Sequence, residues 1–178
     1  MTAFVALLRA VNVGGTGKLA MKDLCQLCLD AGFTHVTTYI QSGNVVFLAA
    51  LSEAAVKTKL EKSVAARVGK PTGVLVRTAA QLEATVERNP FKSAPPTRVV
   101  VLFLDEAPAK SALAGVPMPS GEQVELAGRD VFIHYPAGQG TSKLKLPFAH
   151  AGTGRNMNTV AKLATMARAL EPSVKRAK

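Results

Sequence analysis

Two uninterrupted apolar runs, Ala3–Leu8 and Val99–Leu104, set the terms on which this chain can fold. Both are far shorter than the roughly 20 residues a membrane-spanning helix needs. Neither alternates polar with apolar residues, which is the mark of a strand covered on both faces. The hydrophobic fraction of 48% is that of a globular protein. Its 178 residues suffice for one domain or two small, tightly joined halves.

The segments around the runs supply the rest of an α+β chain. Met21, Leu24, Leu27, Cys28 and Ala31 follow helical spacing, and Gly32 closes that helix. Val36–Ile40 and Val45–Leu48 flank Gln41-Ser42-Gly43-Asn44, the pattern of a hairpin. Ser52 is placed to cap a helix with the buried stripe Val56, Leu60, Val64 and Val68. Gly73–Arg77 reads as a strand. Thr78-Ala79-Ala80-Gln81 has the spacing of a capping box for a helix that ends near Asn89-Pro90.

The first half is therefore expected to run βαββαβ with an added helix, the split βαβ or ferredoxin-like plan. The second is expected to be a shortened βαββα: strand Val99–Leu104, a short helix Ala107–Leu113, a hairpin across Ala127-Gly128-Arg129-Asp130, and a last helix with Val160, Leu163, Ala167 and Leu170 on one stripe. The expected organisation is residues 1–90, a proline-rich linker 91–97, and residues 98–178, in one compact unit.

Charge is the chain's strongest compositional bias. Lys and Arg total 22 against 12 acids, a formal net charge of +10. From Val131 onward there are eight basic residues and one acid, Glu171. A second basic stretch runs through Lys57, Lys59, Lys62, Arg67, Lys70 and Arg77, opposed only by Glu61. Such a field attracts polyanions and also serves solubility.

Two polar strings are candidate sites. The first, Arg9-Ala10-Val11-Asn12-Val13-Gly14-Gly15-Thr16-Gly17-Lys18, leaves the first apolar strand. It lies where a phosphate-binding P-loop would, but Asn12 stands at the required first glycine and Leu19 at the magnesium-binding hydroxyl. The loose dinucleotide fingerprint Gly15-x-Gly17-x-x-Ala20 fails because the second strand turns straight back as a hairpin. What remains is a glycine-rich turn with backbone N–H groups, helped by Lys18 or Arg9. The second string, Gly152-Thr153-Gly154-Arg155-Asn156-Met157-Asn158-Thr159-Val160, leads into the last helix. Asn156 or Asn158 can cap that helix, so its positive end would face an anion beside Arg155.

Other constellations point to no reaction. His35, His134 and His150 lack metal-ligand spacing, and Cys25 and Cys28 have no second pair of ligands, so no metal or cofactor is expected. Ser42 lies outside any Gly-x-Ser-x-Gly element. Asp105-Glu106 reads as the acidic start of a helix, and Tyr39 and Tyr135 as packing aromatics. With no Trp, and with only Phe4 and Phe47 for central strands, base stacking on a sheet is disfavoured. No segment reads as a signal peptide, so the expected compartment is the cytoplasm.

Several strings together resemble a bacterial family catalogued as domain of unknown function 1697: Leu7–Gly15, Thr38–Phe47, Asn89-Pro90-Phe91 and Arg155–Leu163. The chain departs from the usual family pattern at Ala10-Val11, where the family reads Gly-Ile, and at Met157, where it reads Trp. The resemblance implies a cytoplasmic α+β protein with two ferredoxin-like halves and no established activity. It also ties the strings together, so that Arg9, Asn12, Gln41, Ser42, Asn44, Arg155, Asn156 and Asn158 are expected to line one cleft between the halves, with Gly14, Gly15 and Lys18 on its first wall. The expected function is non-enzymatic binding of an anion there, nucleic acid or a nucleotide. The alternatives are an enzyme acting on a small phosphorylated or carboxylated metabolite, with Arg9 and Arg155 as its clamp, and a protein-interaction module.

Overall fold

The computed structural model describes residues 1–10 and 18–171. The chain forms two compact units, Met1–Glu83 with Leu163–Lys178, and Ala84–Lys162.

In the first unit the order is β1 (Thr2–Leu8), α1 (Met21–Asp30), β2 (Thr34–Tyr39), β3 (Asn44–Ala49), α2 (Glu53–Val68), β4 (Val74–Thr78) and the start of α3 (Ala79–Glu87). The strands pair antiparallel in the order β2-β3-β1-β4. Local chemistry explains the boundaries. Ser52 Oγ accepts from Ala55 N at 3.2 Å to start α2, and Gly69 at φ 81° ends it. Thr78 and Gln81 bond reciprocally at the head of α3, Gln81 N to Thr78 Oγ1 at 3.2 Å and Thr78 N to Gln81 Oε1 at 2.8 Å, completing the expected capping box. One face of the sheet (Phe4, Ala6, Leu8, Phe47, Val76) packs in a single cluster with Leu24 and Cys28 of α1 and Val56, Leu60 and Val64 of α2. The opposite face, including Val5, Leu7, Val46 and Leu75, is buried too.

The second unit contains β5 (Val99–Phe103), β6 (Gln123–Ala127), β7 (Asp130–His134), β8 (Thr153–Asn156) and the start of α4 (Met157–Leu170). Its antiparallel order is β6-β7-β5-β8. The two sheets share one internal plan. Each apolar run is a central strand with a hairpin on one side and a fourth strand on the other. The registers match as well: Leu7 faces Asn44 and Val5 faces Arg77, just as Phe103 faces Asp130 and Val101 faces Arg155.

Two expectations for this unit need correction. The segment Ala107–Leu113 is not an α-helix; only Lys110–Leu113 coils, as a 3-10 turn. Pro108 bars Ala107 from helical geometry and Gly115, at φ 72°, stops the chain beyond it, leaving too few residues for an α-helix. The expected βαββα order lacks a strand: within the string Gly152–Asn156, Thr153–Asn156 pairs along β5 as an eighth strand. Its glycines disguise it, yet the packing calls for them. A Cβ on Gly154 would stand 3.1 Å from Val100 Cγ1. A Cβ on Gly152 would meet Leu104 Cδ2 at 2.8 Å and Leu102 Cδ1 at 3.0 Å, as well as the carbonyl oxygen of Phe103. That carbonyl belongs to a central strand and cannot swing aside. Gly152→Ala is therefore expected to cost about 2 kcal/mol by overpacking. Gly140→Ala, where a Cβ meets nothing within 4 Å, is expected to stay within about 0.5 kcal/mol. Urea unfolding of the two variants checks the contrast.

Candidate functional site

At the first string the structure gathers several of the expected residues at one end of the first sheet. Leu8 N donates to Gly43 O and Arg9 N to Gly73 O, both at 2.9 Å. The end of β1 thus meets the β2–β3 turn and the entry to β4. Half-buried Arg9 lays its side chain over Gly73, whose added Cβ would lie 2.8 Å from Arg9 Cδ. Gln41 is exposed, Ser42 half-buried and Asn44 fully buried. Asn44 Nδ2 donates to Tyr39 O at 3.0 Å and to Ser42 Oγ at 2.8 Å, so its amide ties the turn together. Lys18 is exposed. Asn12, Gly14 and Gly15 lie outside the described residues. Sequence reading missed a clamp at the same end: Glu61 Oε1 accepts from Val74 N at 3.0 Å and pairs with Lys57 Nζ at 3.2 Å, while Lys57 Nζ also donates to Val74 O at 3.2 Å.

The second string belongs to the other unit. Asn156 Oδ1 accepts from Thr159 N at 3.0 Å and so caps α4, while Asn158 is exposed. Arg155 is only 8% exposed. Its Nη1 donates to Thr153 Oγ1 at 2.7 Å and to Gly154 O at 2.8 Å. Burial pulls its guanidinium down to about 10, because desolvation penalises the charged form. Arg77 has the same setting in the first sheet: 2% exposed, one residue before the cap Thr78, its Nη1 donating to the preceding carbonyl, Val76 O, at 2.9 Å. A buried arginine followed by a capping residue and a helix is thus a repeated device of this chain.

The structure also sorts the basic stretches. Arg77 is buried, Lys57 is paired with Glu61, and Arg67 Nη2 lies 2.7 Å from Asp23 Oδ2. Lys59, Lys62 and Lys70 stay exposed with no carboxylate partner among the described residues. They lie on α2 away from its buried stripe and just past its Gly69 cap, with exposed Lys22 on α1. In the C-terminal stretch Arg168 pairs with Glu83 at 3.7 Å and Glu171 at 3.1 Å. Lys143, Lys145 and Lys162 are exposed, and Lys175, Arg176 and Lys178 lie outside the described residues.

Potential reactive groups are engaged elsewhere. Burial, with Cys25 adding a smaller effect, pushes the Cys28 thiol up to about 12, which removes it as a nucleophile at neutral pH. Glu122 accepts from Ser142 Oγ and from Ser120 N at 2.8 Å. The Ser142 bond is the main cause that holds its carboxyl below the usual range. Burial, with the Glu122 charge, raises the Tyr135 phenol. Asp130, 4% exposed, accepts from Thr85 Oγ1 at 2.6 Å and lies 3.5 Å from Arg88 Nη2. Among the described residues no group of three His, Cys, Asp or Glu side chains is arranged to hold a metal, and no helix is long and apolar enough to cross a membrane.

One concave feature escaped sequence reading. A cavity of about 450 Å3 is lined by Pro90, Phe91, Ser93, Ala94, Pro95, Gln123 and His134, most of it from the stretch expected to be a bare linker. The available signal was an aromatic residue set between prolines.

With this geometry in place, comparison with known proteins is informative. Residues 1–132 match the family described as "Protein of unknown function (DUF1697)". The solved structure of the conserved bacterial protein SP0830 from Streptococcus pneumoniae is similar, with a TM-score of 0.78 and 27% identity over 93% of this chain and 98% of that one. No curated protein matches the chain.

Proposed function

The chain belongs to the DUF1697 family, whose description carries no activity, and we propose that it is a non-enzymatic binding protein for an anionic ligand, with the nucleic-acid backbone as the class. The observation that supports this is the exposed lysine face of α2. Lys59 and Lys62 are exposed on α2 away from the stripe that packs on the sheet, and Lys70 is exposed just past its Gly69 cap, in a protein whose net charge is +10. Unpaired ammonium groups along a helix are an electrostatic footprint for a polyanion. Arg155 and Asn44, by contrast, are spent on the fold, which weighs against a small-metabolite clamp at those residues. The same reading takes the first sheet as ferredoxin-like, supported by its βαββαβ order with strands β4-β1-β3-β2, and keeps the cytoplasm as the compartment.

Fluorescence anisotropy with labelled single-stranded and duplex oligonucleotides, measured against salt, tests this. Affinity is expected to fall linearly on a log–log plot. The triple variant Lys59→Gln, Lys62→Gln, Lys70→Gln should reduce the slope by about 2, since each lost phosphate contact removes roughly 0.7–0.9. No detectable binding at low salt, or an unchanged slope in the triple variant, would overturn the reading.

A further inference from the structure

We propose that the cavity over Phe91 is a second binding site, for an uncharged planar heteroaromatic ring of the nucleobase class. Three features of the second unit support it. First, its walls are preformed. Phe91 N donates to Asn89 Oδ1 at 2.9 Å and Ala94 N to Phe91 O at 3.0 Å, so an Asx turn and a tight turn fix the loop between Pro90 and Pro95, whose rings add their own rigidity. Second, two rings stand close together in the lining. The Phe91 and His134 centroids are 5.6 Å apart with planes tilted by 34°. That is too close for a third ring to enter between them, so a ligand ring must stack on an outward face of the pair. Third, the polar groups beside the pair have an assigned sense. Gln123 and His134 face each other across β6 and β7, and His134 Nδ1 lies 3.1 Å from Gln123 Oε1. In the fitting tautomer Nδ1–H donates, which leaves imidazole Nε2 as an acceptor and the Gln123 amide NH2 as a donor.

A cavity of about 450 Å3 is within the range of small-molecule sites. Aromatic walls with one donor and one acceptor, and no carboxylate or cation in the lining, fit a neutral ring that carries its own acceptor and donor on one edge. Bases in single-stranded nucleic acid are held in this way, stacked on Phe or His and read along an edge. The site does not depend on the lysine face of α2, because a free nucleoside has no phosphate.

Titration of the 15N-labelled protein with free adenosine and, separately, uridine tests the proposal by NMR. Saturable shifts are expected at the amides of Phe91, Gln123 and His134, with an affinity that does not change with salt. Phe91→Ala is expected to weaken binding about tenfold through loss of stacking. Gln123→Met keeps both rings and is expected to erase discrimination between the two nucleosides, so the proposal stays testable even if Phe91→Ala does not fold. With single-stranded oligonucleotides the same amides should shift in addition to those on α2, which distinguishes a base in a strand from a free nucleoside. Absence of saturable shifts at these amides, affinity untouched by both substitutions, or shifts only with a proline- or aromatic-containing peptide would overturn it. A failure of oligonucleotides to bind, with nucleoside binding intact, would sink the polyanion reading alone.

Discussion

Phe47→Ala is expected to lower folding stability by about 4 kcal/mol, read as a fall in denaturant midpoint at unchanged slope. Phe47 is fully buried in β3, between β1 and β2. Its ring lies against Phe33 with centroids 4.5 Å apart and planes only 6° from parallel, and it meets Phe4 at 6.2 Å. Truncation removes the transfer free energy of the ring. It also leaves a cavity that a sheet anchored on both sides is badly placed to collapse, and it strips both neighbours of a partner. Total stability of a domain is about 5–15 kcal/mol, so the first unit of the variant should be close to unfolding at 37 °C. A loss below about 1 kcal/mol would show that the ring sits in a site able to close around a methyl group, contrary to the packing seen.

Phe47 was readable as a core residue because it stands in an apolar run beside a Gly/Asn turn. Where local pattern alone settled an element, sequence and structure agree. The Ser52 cap and the stripe Val56, Leu60 and Val64 belong to α2 as expected, with Val68, the last of the stripe, only partly buried, and the Thr78–Gln81 capping box opens α3. The two apolar runs were readable as strands covered on both faces. They occur in antiparallel sheets, though such runs are commonest in parallel ones; what the run reports is coverage, and coverage does not fix direction.

The expected helix Ala107–Leu113 failed for a local reason, Pro108 at its start and Gly115 after it. The other failures lie where the decisive partner is distant in sequence. β8 carries Gly154 and follows directly on Gly152, so it looks like a loop, yet those glycines are selected by the approach of β5 some fifty residues earlier. Phe91 sits in a proline-rich stretch that reads as a spacer, until β6 and β7 bring Gln123 and His134 beside it. Ala10 has φ 47°, a left-handed conformation that glycine adopts freely and alanine at a cost of about 1 kcal/mol. Arginine is read as surface by default. Period two along β4, however, puts Arg77 on the same side as Leu75 and opposite Val76, on a face that is buried.

The buried arginine of the second sheet then decides how much of the candidate site is functional. Arg155→Ala is expected to cost about 3 kcal/mol, as other large truncations in a packed interior do, while Arg155→Met is expected to fall within about 1 kcal/mol of the natural protein. The physical reason is that the two parts of this side chain act in opposite directions. Its aliphatic stem fills space beside β5, and its guanidinium suffers desolvation strong enough to pull its pKa to about 10. Methionine keeps the stem and removes the charge. For the linkage, a base whose folded pKa lies below its unfolded one binds more protons when unfolded, so stability should rise with pH from about 10 up to the higher ordinary arginine value and be flat at neutral pH. Arg77, in the matching position of the first sheet with the matching bond to its preceding carbonyl, argues that both arginines serve the strand-to-helix junction. If Arg155→Ala instead keeps full stability and loses only its oligonucleotide or nucleoside affinity, then Arg155 is a ligand clamp, and the lysine face of α2 is a secondary contributor to binding.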